Sequence, residues 1–418
     1  MKKSVISLIV ITAVCMFGLN GYAADIEGIN IHGFLSQGYV KTTENNLFTD
    51  TIDGTFEFNE FGINFSKDLT DNLRLGIQFF AKDYGTSGND EVEVDWAYGD
   101  YRFKDWLGFR AGKIKVPHGL YNQTRDVDML RTSIFLPQSV YPEVLRESTL
   151  AIIGGGVYGN IDLKILGGLS YQAALGTQNI KASERTKQAF MDATSNNDMI
   201  ETTSIDVDSK YAGSLVWDTP LDGLRISGTY GDTKLSAVAH AVESDFMMDI
   251  GDRSLMDFDK FQYTVYSAEY IWNNLTLAAE YMETERSISM SMPDSAMMMG
   301  AMTEELESEG WYASASYRFI DWFSLGAYYA KTETGNGGAG GGGGPVGVAA
   351  NDSGRDYRDD LCLTTRFDIN EYMVFKLEGH NLEGTNGLSA LDAVEDSDGN
   401  MIWTNEWKMF SAKVTFSF

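Results

Sequence analysis

From Phe410 to Phe418 the chain alternates without a break between apolar and polar residues. Phe410, Ala412, Val414, Phe416 and Phe418 share one parity; Ser411, Lys413, Thr415 and Ser417 share the other. Side chains of a strand project with period two, so this segment predicts a β-strand with one oily and one polar face. Such a strand suits the closing stave of a transmembrane β-barrel, oily face toward lipid and polar face toward a wet lumen.

The same alternation recurs along the chain. Leu73, Leu75, Ile77 and Phe79 oppose Arg74, Gln78 and Lys82; Leu224, Ile226 and Tyr230 oppose Arg225, Ser227 and Thr229. Leu275, Leu277, Ala279 and Tyr281 oppose Thr276 and Glu280, and Trp311, Ala313, Ala315, Tyr317 and Phe319 oppose Ser314, Ser316 and Arg318. Segments of this length cross a hydrocarbon layer when tilted. Short connections fall at 68–71, 104–105, 159–160, 219–222, 273–274, 320–322 and 368–371, and long ones near 43–53, 84–90, 117–147, 173–207, 236–258, 289–308, 335–355 and 384–402. The fold expected is all-β: an antiparallel up-and-down barrel of 16 strands, with both termini on the short-turn side. Trp106, Trp217, Trp272 and Trp322 lie at or beside short turns, and Trp311 and Trp403 near long-loop ends. Amphipathic rings prefer the headgroup layer, so two aromatic girdles are expected.

Composition changes the picture in three ways. Lys2 and Lys3, the apolar run Val5 to Leu19 and the small-x-small Gly21-Tyr22-Ala23 predict an export signal over 1–23, leaving 24–418 as a single barrel domain. Cys362 is then the only cysteine, which leaves no internal disulfide. The formal net charge of −28 argues against nucleic acid as a partner, since phosphates require basic surface.

A barrel of 16 strands is wide enough for an aqueous channel, and the third long connection predicts what narrows it. Residues 117–147 mix Val127, Met129, Leu130, Ile134, Phe135, Leu136 and Tyr141 with Arg125, Asp126, Asp128, Arg131, Glu143 and Arg146. Such a segment is too apolar for solvent and too charged for lipid. Folding into the lumen resolves both problems. The stretch Arg110 to Gly119, with Tyr121-Asn122, Arg125-Asp126 and Ser133 to Tyr141, resembles Gram-negative porins of the phosphate-selective porin O/P-like group. That resemblance implies an outer-membrane location, a third loop that forms the constriction, and a homotrimer. It also implies that the terminal strand ending in Phe418 is read by the barrel-assembly machinery.

Arg125, Asp126, Asp128, Arg131 and Glu143 are accordingly expected at the constriction, with Arg74, Arg110 and Arg318 on the facing wall. Basic wall residues opposite loop acids would set a transverse field across the pore. The long loops are acidic: Asp294, Glu304, Glu305 and Glu307 in one, Asp392, Glu395, Asp396 and Asp398 in another, neither holding Lys or Arg. A negative mouth concentrates cations over a Debye length, roughly 8 Å in physiological salt, and acidic loops also suit divalent bridging to lipopolysaccharide. The expected function is passive diffusion of small hydrophilic solutes and ions with mild cation preference. A channel specific for phosphate or a small organic acid, and a barrel-anchored adhesin, are the other readings.

Other motifs carry less. Asp396-Ser-Asp398-Gly399-Asn400 lacks the distal carboxylate of a calcium loop. Met290, Met292, Met297, Met298, Met299 and Met302 read as loop packing, and Gly335 to Gly344 lacks a Gly-Lys-Ser/Thr ending. His32, His118, His240 and His380 have no metal-ligand partner at short spacing, so no cofactor, metal site or enzyme activity is expected.

Overall fold

A computed structural model describes residues 28–180, 187, 200–242, 249–294, 302–335, 356–395 and 401–418. The expected signal over 1–23, Met297 to Met299, most of the glycine run and Asp396 to Asn400 lie outside these residues. The staves are β1 Asn30–Thr42, β2 Asn59–Thr70, β3 Leu73–Asp83, β4 Glu93–Lys104, β5 Leu107–Lys115, β6 Ala151–Asp162, β7 Gly168–Asn179 and β8 Ile200–Asp218. They continue as β9 Leu224–Ala241, β10 Arg253–Trp272, β11 Leu275–Ser291, β12 Met302–Ile320, β13 Phe323–Thr334, β14 Tyr357–Asn370 and β15 Met373–Gly384. A two-residue hairpin, β16 Val394–Glu395 and β17 Met401–Ile402, precedes the last stave, β18 Glu406–Ser417. Every stave pairs antiparallel with its chain neighbour, and β18 closes the sixteen-stave ring on β1.

That closure follows the terminal pattern. Leu35 pairs with Phe416 and Val40 with Ser411. Ser411, Lys413 and Thr415 are buried toward the lumen while Phe410 is exposed on the outer surface. Ser36 and Thr415 hydroxyls meet at 3.0 Å across the seam. Closure leaves no strand edge unpaired, which lipid requires because it offers no hydrogen bonds.

The outer face records where the membrane ends. On β11 the outward positions read Leu275, Leu277, Ala279, Tyr281 and then Glu283, Glu285; on β12 they read Glu307, Glu309 and then Trp311, Ala313. The changeover shifts by one outward position along the row, since Tyr281 pairs with Trp311 while Trp311 pairs with Lys331 and Lys331 with Asp359, already charged. Trp311 and Tyr329 rings lie 5.5 Å apart there. At the short-turn rim Trp106, Trp217, Trp272 and Trp322 are all exposed, completing the second girdle. Trp403 differs from expectation: it follows the β16–β17 hairpin and packs against a loop cluster containing Phe48, Phe135 and Leu388.

Two local readings also shift. The β6–β7 turn lies at 163–167, beyond the expected Gly159-Asn160, because Asp162 accepts the Lys164 amide at 2.8 Å and Gly167 takes a positive φ. Gly159 stays in the strand, where a side chain would strike the Trp106 carbonyl. Staves β8 to β12 run far past the membrane boundary, so Glu304, Glu305 and Glu307 belong to strand and not to loop. There the face polarity inverts: Ile205, Leu235, Phe258, Ile288 and Leu306 form an inward apolar cluster under an acidic outer surface.

Candidate functional site

The segment between β5 and β6 folds into the lumen through three single 3-10 turns, Asn122–Thr124, Asp128–Leu130 and Glu143–Leu145, and a helical turn Arg146–Thr149. Asn122 Nδ2 donates to the Val116 carbonyl at 2.9 Å, folding the segment back on its own start. Its apolar residues then pack inside the barrel: Leu136, Val140 and Tyr141 cluster with Tyr263, Tyr312 and Cys362 on the walls.

Four charged knots fasten the loop to the wall, the first and third sharing β3 and the second and fourth sharing β15. In the first, Asp126 pairs with Lys115 and with Arg146 at 2.8 Å, Arg146 reaches Asp95 at 3.2 Å, and Gln78 donates to Asp95 and Asp126 at 3.0 Å each. In the second, Lys376 sits 3.0 Å from Asp128, which also lies 3.4 Å from Arg131 and accepts the Thr415 hydroxyl at 2.8 Å. Arg366 donates to the Met129 and Arg131 carbonyls at 2.6 and 3.0 Å. The third joins Glu143 to Arg125 at 2.6 Å and Lys82 at 3.2 Å. The fourth uses wall carboxylates as acceptors. Glu280 takes the Leu120 amide at 2.8 Å and the Tyr312 hydroxyl at 2.6 Å, and Glu378 takes the Ile134 and Phe135 amides at 2.7 and 3.1 Å.

Charge states in the loop follow from these neighbours. Burial opposes ionisation of Asp126 and Asp128, yet Lys115 and Arg146 hold the first well below the usual carboxylate range, and Lys376 and Lys413 the second. Burial is likewise outweighed at Glu143, which Arg125 and Lys82 bring down to about 2. His118 is different: burial lowers it to about 4, so at neutral pH it is uncharged and donates from Nε2 to the Val140 carbonyl at 2.8 Å.

No protein-family model matches the chain. One stretch of 160 residues is 27% identical to an uncharacterized protein of Aquifex aeolicus (strain VF5), covering 38% of this chain and 34% of that protein, about a third of the relative's length. Among solved structures the chain is similar to Salmonella typhi OmpF in complex with daunomycin, at a TM-score of 0.54 and 13% identity over 93% of this chain and 97% of that one. It is similar to the anion-selective porin from Comamonas acidovorans (TM-score 0.53, 11% identity, 93% and 99% covered). OmpT of Vibrio cholerae (TM-score 0.53, 11% identity, 95% and 100% covered) is another such structure, and OmpT is also described in a trimer form. The fold is that of the outer-membrane porins. A closed barrel with this lipid-facing belt belongs in the bacterial outer membrane.

Within this barrel, Arg125, Asp126, Asp128, Arg131 and Glu143 come together on the loop, all of them paired with wall or loop partners at short range. Charges matched at contact distance largely cancel beyond the network, which reduces any transverse field. Arg74, Arg110 and Arg318 lie elsewhere. Each sits within a few residues of a short turn, paired with Asp68 at 3.7 Å, Asp100 at 2.8 Å and Asp368 at 3.7 Å respectively. The cations that meet the loop are Lys82, Lys115, Arg366, Lys376 and Lys413. Strand parity marks most of them as inward, yet Arg318 stands in the same register row as Arg366 and Lys376, so parity and depth alone do not tell which cations meet the loop.

The structure also assembles a cluster that short sequence spacing does not suggest. Cys362, Glu378 and His380 bring their donor atoms within 4.8 Å of one another. The His380 ring nitrogens already face Asp360 at 2.9 Å and Glu378 at 3.0 Å, and Glu378 also holds the loop. Hydrogen bonding accounts for the arrangement. On the long-loop side of the folded-in segment lies a cavity of about 190 Å³, bounded by Phe48, Val140, Phe261, Arg286 and Arg358 among others.

Proposed function

We propose that this chain is a porin through which small hydrophilic solutes and ions diffuse passively, with the segment 116–150 setting the narrowest passage. The observation that carries this reading is the loop fastened across a polar, closed barrel by four separate charged knots. Arg125, Asp126, Asp128, Arg131 and Glu143 then define the constriction by fixing the loop's position. The carboxylates around the outer mouth, including Glu283, Glu307, Glu309 and Glu333, support a mild cation preference and contact with lipopolysaccharide through divalent cations. A homotrimer is the assembly favoured by likeness to OmpT, which has a trimer form. Liposome swelling with neutral sugars of graded size tests the diffusion reading. Uptake rates that fall smoothly with solute size support it, and impermeable liposomes carrying folded protein refute it.

A channel specific for a small organic acid, the resemblance-based reading that includes phosphate, has one observation in its favour. Among the described residues, the cavity above the loop is lined by arginines and not by carboxylates.

A further inference from the structure

We infer that the cavity between the folded-in loop and the outer mouth is a binding site for a small organic anion, a carboxylate carried on an apolar body about the size of benzoate. Its polar lining is cationic in a chain that carries 60 acidic residues against 32 basic ones. Among the described residues that line it, Arg125, Arg286 and Arg358 contribute charge and no Asp or Glu does.

Two of these arginines have no carboxylate at ion-pair distance among the described residues. Arg125 is matched by Glu143 at 2.6 Å. Arg358 is only 9% exposed and has no carboxylate at ion-pair distance among the described residues. Arg286 likewise has no ion pair there, and its Nε is buried without a hydrogen-bond partner. The acids near them are committed or lie outside the cavity. Asp360 accepts from His380 at 2.9 Å and Tyr328 at 3.1 Å, and Asp392 accepts the Phe48 and Ser389 amides at 2.8 and 2.9 Å. Glu304, the acid closest in charge to Arg286, is exposed toward the rim.

Burying a guanidinium without an opposing charge is costly, and an arriving anion recovers much of that cost. The planar fork of Arg matches a carboxylate bidentately, which favours this group over a halide. The remaining walls select the body of the ligand: Phe48, Phe261 and Leu388 present apolar surface. A cavity of roughly 150 Å³ holds benzene, so the volume here suits a single ring bearing one charged group. Inorganic phosphate, strongly hydrated and with no apolar part, gains little from such walls.

The proposal rests on the porin reading only in placing this site on the solute's path; binding itself does not require conduction. The test is titration calorimetry of the refolded full chain in detergent with sodium benzoate, benzyl alcohol and inorganic phosphate. Saturable benzoate binding is expected, with benzyl alcohol and phosphate weaker by at least ~10-fold. Arg286→Gln and Arg358→Gln should each weaken benzoate by about tenfold or more while heat-modifiable gel mobility, the sign of a closed barrel, is kept. Equal affinity for benzyl alcohol, stronger binding of phosphate, or unchanged benzoate affinity in folded variants would overturn the site. If one arginine variant fails to fold, the other variant and the three-ligand comparison still decide. Ohmic conductance without benzoate binding removes this site and leaves the porin reading; benzoate binding without conductance does the reverse.

Discussion

Lys376 of β15 and Asp128 of the folded-in loop meet at 3.0 Å, and the lysine also donates to the Asp128 carbonyl at 2.7 Å. Neither side chain has measurable exposure, so this contact fastens the loop to the far wall in a fully buried setting. A buried pair of this kind contributes little net stability compared with a well-packed apolar pair, but removing one partner strands the other.

Asp128→Asn should therefore cost about 3–5 kcal/mol, since the buried Lys376 and Lys413 would both lose the carboxylate between them. The urea midpoint of the refolded barrel, read by tryptophan fluorescence, reports this. A shift no larger than that of an exposed Asp68→Asn control would show that the knot is not structural.

Gly310 of β12 faces the Ser139 carbonyl so closely that any side chain would collide with it. The colliding atom is backbone, which cannot swing aside. Gly310→Val should displace the loop from this wall and raise trypsin cleavage after Arg125 or Arg131 in the folded protein. Cleavage at the wild-type rate would mean the loop does not press on β12.

Acidification should loosen the loop in two separable windows. Glu143 has its folded value depressed to about 2 from an ordinary 4.5, so its contribution is full above 4.5 and is lost as pH falls toward 2. His118 is also depressed, to about 4 from 6.5, and its contribution declines earlier, between those two values. Urea midpoints measured from pH 7 to pH 2 should show a smaller lower window in Glu143→Gln, since Asp126 and Asp128 also contribute to it, and no upper window in His118→Gln. A single window common to both variants would contradict the assignment.

The boundary on the outer face predicts a sharp difference between neighbours of one parity. Ala279→Arg places a charge in the lipid belt and should cost on the order of 2–4 kcal/mol of barrel stability, whereas Glu285→Arg, above the boundary, should cost about 1 kcal/mol or less, the worth of its exposed pair with Lys260. Folding yield into vesicles, followed by gel mobility before and after boiling, distinguishes them. Equal yields would move the membrane off the Tyr281–Trp311 level.

Much of this was legible in the chain, for identifiable reasons. Phe410 to Phe418 and the Asn273-Asn274 turn follow from period-two alternation broken by turn residues, both local signals. The loop at 117–147 betrayed itself by mixing Ile134, Phe135 and Leu136 with Arg125 and Asp126 in one segment. The outer ends of β8 to β12 read as loops because Glu305 and Glu307 replace apolar residues on the outer face, while Leu306 turns inward. Alternation persists there with inverted polarity, as expected where a stave leaves lipid for water. The anchors Glu280 and Glu378 could be placed on the lumen side by parity. Their partners, the Leu120, Ile134 and Phe135 amides, lie more than a hundred residues away, and no local pattern joins them. Arg74, Arg110 and Arg318 show the same gap from the other direction: parity gives the face of a strand and says nothing of where the loop meets the wall.

Single-channel conductance in planar bilayers tests the central claim, a water-filled barrel narrowed by a clamped loop. The wild-type protein should give discrete ohmic steps, and Asp126→Asn combined with Asp128→Asn should give larger, noisier ones as the loop comes free. Silence from a correctly folded barrel, or identical steps from both proteins, would contradict it.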